Sequence, residues 1–89
     1  MTDDGSAALE RLIDSAQRAA GLLAARHRGD PDGAAALMGS FAADAELAGG
    51  ALLLADVAVR LLREHTGESA EACLASVSLS LAGSRPDRG

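Results

Sequence analysis

The side chains able to do chemistry in this sequence are few and far apart. Two histidines, His27 and His65, and one cysteine, Cys73, are its whole stock of imidazole and thiol groups. A metal site would need them to converge with carboxylates. His65 stands near Glu64 and Glu68, but no HExxH, ExxH, CxxC or His-x-His spacing occurs, so no metal and no cofactor is expected. Cys73 has apolar neighbours and no base beside it in sequence, the setting of a small core residue rather than of an activated nucleophile. As the single cysteine it cannot close a disulfide within the chain. Gly49-Gly50 follows a helical pattern rather than a strand, which removes both the phosphate-binding loop and the dinucleotide fingerprint. No catalytic constellation is present, and the chain is not expected to be an enzyme.

Thirteen acids could still hide a carboxylate site. Asp3, Asp4, Asp30, Asp32, Asp44, Glu46, Glu68 and Glu71 fall at expected helix starts, and Arg26, Arg28, Arg60 and Arg63 fall toward helix ends, which is where capping and the helix dipole favour them. Glu10, Arg11, Asp14 and Arg18 read as the solvated face of the first helix. Asp56 and Arg60 are the exception. They form an acid-first i,i+4 pair on the most apolar helix of the chain, where a structural ion pair is expected and a specificity or ligand role is the alternative.

The elements that must carry these groups are helical. Twenty-one alanines and fourteen leucines against four β-branched aliphatics make a helix-forming alphabet, and Phe41 is the single aromatic. Segment 6–28 has Leu9, Leu12, Ile13, Ala16, Ala19, Ala20 and Leu23 at three- and four-residue steps, with Ser6 as its N-cap and Gly29 as its C-terminal stop. Asp30-Pro31 then restarts a helix over 31–40, Asp30 capping and Pro31 taking the first helical position. That helix either ends near Ser40 or runs on to Gly49-Gly50; the spacing of the next segment favours the first.

Leu47, Ala51, Leu54, Ala58 and Leu61 step by four, three, four and three, a heptad-like seam that stays in phase across the two glycines. A helix over 45–65 follows. Each interior glycine costs it on the order of 1 kcal/mol relative to alanine, and the expected compensation is close approach of another backbone. Thr66-Gly67 ends this helix, and a last one is expected over 70–82, beginning at Ser69 or Glu68. Residues 83–89 read as a flexible polar tail.

The third helix is apolar nearly all round, and the rest of so short a chain cannot cover it. The expected fold is all-α, a small antiparallel bundle of three or four helices in a single domain over 1–82, completed by oligomerisation. Leu47, Ala51, Leu54, Asp56, Ala58, Arg60 and Leu61 are the expected protein interface, with a homodimer or another protein as partner. A net charge of −5 argues against nucleic acid as that partner. The acidic start, Met1-Thr2-Asp3-Asp4, is no signal peptide, and the apolar stretch 47–55 falls short of the roughly 20 residues of a membrane span. A cytoplasmic chain with no membrane contact is expected.

The functional expectation is a non-enzymatic helical interaction protein, an adaptor or regulator acting through a helix-packing surface. One alternative is a dimeric nucleic-acid-binding regulator that aligns Arg26, Arg28, Arg60 and Arg63. Another is a small ligand-binding or enzymatic bundle, its pocket lined by leucines, Met38 and Phe41 and polarised by Asp56 or His65.

Overall fold

The structure, a computed structural model, describes residues 4–85. Four helices follow one another: α1 (Asp4–His27), α2 (Pro31–Gly39), α3 (Asp44–Thr66) and α4 (Ala70–Gly83). No strand occurs among the described residues, so the all-α expectation holds. The stretch of alternating apolar and serine residues 77–81 is helix. Of the tail expected over 83–89, Gly83 instead closes α4 and residues 86–89 lie outside the described residues, as do residues 1–3. The chain forms two compact units, Met1–Asp56 and Val57–Gly89, with the boundary inside α3.

Local chemistry accounts for the helix ends. At the end of α1 the Gly29 backbone has φ +71°, and the Asp30 N–H reaches Ala25 O at 2.9 Å while the Gly29 N–H reaches Arg26 O at 3.2 Å. These two bonds are the Schellman pattern, and the left-handed residue it requires is the glycine. Asp30 then caps α2, its carboxylate accepting from the Gly33 N–H at 2.9 Å. Ser69 does the same for α4, accepting from the Ala72 N–H at 3.1 Å. One expected cap is corrected. Ser6 lies inside α1, which starts at Asp4.

The break between α2 and α3 falls at residues 40–43, as the seam spacing favours over a helix continuing to Gly49-Gly50. Both glycines therefore sit inside α3, and the reason is visible in the first unit. A Cβ built on Gly50 would lie 2.6 Å from the Ser15 carbonyl carbon and 2.8 Å from Ser15 Cβ, so the α1 and α3 backbones touch there. The close approach expected of these glycines is found at Gly50, which is buried.

The buried face of α1 differs from the expected one. Ser15, Ala19, Leu22 and Ala25 are buried, whereas Leu9, Leu12, Ile13 and Leu23 remain at least a third exposed. The stripe is turned about the helix axis by roughly one residue's step. The cause is size: against the glycine of α3 the chain presents serine and alanine, which allow a shorter interhelical distance than leucine and isoleucine would. Leu37 of α2 packs over Gly21 of the same helix.

In the second unit Cys73 is buried, 1% exposed, the core position expected of it. Its larger aliphatic side chains are not buried. Leu61, Leu62, Leu74, Val77, Leu79 and Leu81 are exposed by 40 to 73%. No described helix is long and apolar enough to cross a membrane.

Candidate functional site

The turned face of α1 puts Arg18 at the edge of a helix junction instead of in open solvent. This is the main departure from the sequence expectation. Its Nε donates to Asp14 Oδ2 at 3.0 Å, and its Nη1 donates to Ser40 O at 3.0 Å and Ser40 Oγ at 3.2 Å. Its Nη2 donates to Glu46 Oε1 at 2.9 Å and more weakly to Ser15 Oγ at 3.4 Å. A guanidinium has five N–H donors, and here each has an acceptor. The Arg18 Cζ also lies 4.5 Å from the centroid of the Phe41 ring, a cation–π distance.

One side chain thus ties α1 to the turn before α3 and to the first turn of α3. The cleft beside it, about 450 Å³, is lined on one side by Ala7, Glu10, Arg11 and Asp14 and closed by Ser15, Arg18 and Glu46. Nothing in the cluster is prepared for covalent chemistry. The Ser15 hydroxyl accepts from Arg18, and neither imidazole nor thiol belongs to the lining. The arrangement is a clamp that holds three segments in register.

The clamp has an electrostatic signature. The hydrogen bond from Arg18 holds the Glu46 carboxyl below its ordinary value of 4.5, with the Ala42 N–H and the Arg18 charge assisting. Asp30 is held below its ordinary 3.8, chiefly by the Gly33 N–H and then by Arg28, whose Nη2 lies 3.1 Å away. Both folded values are depressed, so the stabilisation these carboxylates give is complete above 4.5 and is lost as pH falls through the depressed values. Arg18→Met is expected to return the Glu46 titration to its ordinary value and leave that of Asp30 in place. Carboxyl NMR titration of the two proteins reads this directly; a Glu46 midpoint unmoved by the substitution contradicts the clamp.

The residues singled out from sequence are distributed differently. On the part of α3 within the first unit, Leu47 and Leu54 are half-buried and Ala51 and Asp56 exposed. On the part within the second, Ala58, Arg60 and Leu61 are all exposed, Leu61 by 57%. The expected Asp56–Arg60 pair is not formed: the ion pairs among the described residues are Arg18 with Asp14, Arg18 with Glu46, and Arg28 with Asp30. An exposed i,i+4 pair contributes only about a few tenths of a kcal/mol, so its absence costs the fold little.

Of the arginines considered for nucleic acid, Arg28 is occupied by Asp30, and Arg60 and Arg63 line a shallow hollow whose other walls include Glu64 and Glu68. Phe41, considered as a pocket wall, lies under Arg18, and Met38 is 48% exposed. His65 borders an open hollow with Ala58, Leu61, Leu62 and Glu64. Among the described residues no three of His, Cys, Asp and Glu gather as metal ligands would.

Arg18 was legible only in part. Its i,i+4 partner Asp14 is a sequence feature, but Ser40 and Glu46 lie 22 and 28 residues away. The chain matches no family model, no curated protein and no solved structure.

Proposed function

We propose that this chain is a non-enzymatic helical interaction protein, an adaptor or regulator that works through self-association of its aliphatic helix faces, as a homodimer in the cytoplasm. The observation that carries this reading is the exposure of six large aliphatic side chains, Leu61, Leu62, Leu74, Val77, Leu79 and Leu81, within the 33 residues of the second unit. Scattered exposed leucines are ordinary on any protein; a run this dense marks a surface that another protein covers. Leu61 and Ala58, on the heptad seam of α3, belong to that surface, as does the hollow they form with Leu62. The lone cysteine, with no partner for a disulfide, suits a reducing compartment.

Hydrogen exchange of the backbone amides over 57–85 tests this reading. In a self-associating protein those amides exchange several-fold more slowly at high protein concentration than after dilution below the association midpoint, while amides over 15–25 in α1 are unaffected. Identical exchange over 57–85 across a thousandfold dilution rules the reading out.

A further inference from the structure

α4 carries a heptad pattern like that of α3, but with no charged residue in its middle. Ala70, Leu74, Val77 and Leu81 step by four, three and four, so they line one side of the helix as the a and d positions of a heptad. Such a seam normally faces a partner helix. Here Leu74, Val77 and Leu81 are 50%, 44% and 67% exposed.

Charge indicates what the partner is. From Ala72 to Ser84 the chain has no ionisable group except the buried Cys73, so the overall charge of −5 puts no repulsion on this strip. Charges reappear only at its two ends, Glu71 and Arg85. They are fourteen residues apart, two heptads, and therefore share one flank of the seam. Helix-like winding continues far enough to keep Arg85 near that flank, since the Ser84 N–H bonds to Leu81 O at 3.1 Å and the Arg85 N–H to Ala82 O at 3.3 Å. Neither end charge has an ion-pair partner among the described residues.

A strip with an acid at its start, a base at its end and a neutral apolar middle complements itself when one copy is reversed. Side by side in the same direction, two such helices set their dipoles parallel and place their like-charged ends at the same level. Reversed, they set each Glu71 at the level of an Arg85 and each helix start against a helix end.

Resting on the self-association reading above, we infer that α4 pairs antiparallel with α4 of a second copy along Leu74, Val77 and Leu81, Val77 opposite the partner's Leu81, with Glu71 set toward the partner's Arg85. This makes Ser78 the test position. It lies on the flank of Glu71 and Arg85, seven residues from each, so in the antiparallel pair it meets its own symmetry mate. In a parallel pair the same flanks lie on opposite sides of the seam.

The experiment is oxidative cross-linking of the full chain. Ser78→Cys is a small change at an exposed position, Leu79→Cys puts a thiol about 100° further round the helix, off the seam, and the parent chain, whose only thiol is the buried Cys73, gives the background. Circular dichroism confirms that each variant keeps its helix content. Ser78→Cys is expected to yield at least tenfold more disulfide-linked dimer than Leu79→Cys or the parent. Equal yields at 78 and 79 overturn the antiparallel pairing, as does a Ser78→Cys chain that stays uncross-linked. In the second case sedimentation of the parent separates the causes. A dimer there means that self-association uses another face. A monomer means that the self-association reading fails as well.

Discussion

Leu81→Glu is expected to raise the dissociation constant of the dimer by at least about 100-fold while leaving the helix content of the isolated chain unchanged. Leu81 is 67% exposed in the single chain, so a polar side chain there faces water and costs the monomer little, within about 0.5 kcal/mol. In the antiparallel pair it sits in the seam. Burying a leucine contributes about 1.5–3 kcal/mol, and a carboxylate in its place adds a desolvation penalty. A twofold interface counts each substitution twice, which brings the loss to about 3 kcal/mol or more, and each 1.4 kcal/mol is tenfold in affinity. Sedimentation equilibrium of the variant beside the parent measures it. An equally strong dimer in the variant removes Leu81 from the interface.

Gly50→Ala is expected to destabilise the first unit by about 2 kcal/mol, although alanine is the better helix former. The propensity gain is on the order of 1 kcal/mol. Against it stands a methyl group 2.6 Å from backbone atoms of Ser15, which cannot swing away as a side-chain tip can. Overpacking of this kind costs typically 1–3 kcal/mol, and more where backbone must move. Gly49→Ala is the internal control. Its Cβ would meet Leu12 Cδ1 at 3.3 Å, the far end of a partly exposed side chain free to shift, so the propensity gain survives and the variant is as stable as the parent or more so. Urea denaturation of the two variants reads the contrast. Equal effects at 49 and 50 mean that the α1–α3 approach is not centred on Gly50.

These results follow from parts of the fold that differ in how far the sequence reveals them. The caps at Asp30 and Ser69 and the glycine stops at 29 and 67 were readable because their chemistry is local, a side chain or a left-handed residue acting within four positions; the break between α2 and α3 was readable from the seam spacing of the helix that follows it. The interior glycines of α3 were readable too. A glycine where alanine would serve better needs a reason, and close backbone approach is the common one.

The buried face of α1 was not readable in the same way. Alanine and leucine surround that helix, and hydrophobic periodicity favours the side with the larger residues, whereas packing against Gly50 selected the side with the smaller ones. That same turn about the axis brought Arg18 out of solvent and into the clamp. Its partners come from the α2–α3 turn and from α3, and no spacing rule links positions 18, 40 and 46. Asp56 and Arg60 show the converse: they have the i,i+4 spacing of an ion pair, and no ion pair joins them.

In the function proposed above, a second copy of the chain covers its exposed aliphatic helix faces. Sedimentation equilibrium tests it most directly, because it returns mass independent of shape. At micromolar loading a homodimer gives a species of twice 8.9 kDa that gives way to 8.9 kDa on dilution. A single 8.9 kDa species at every concentration contradicts it.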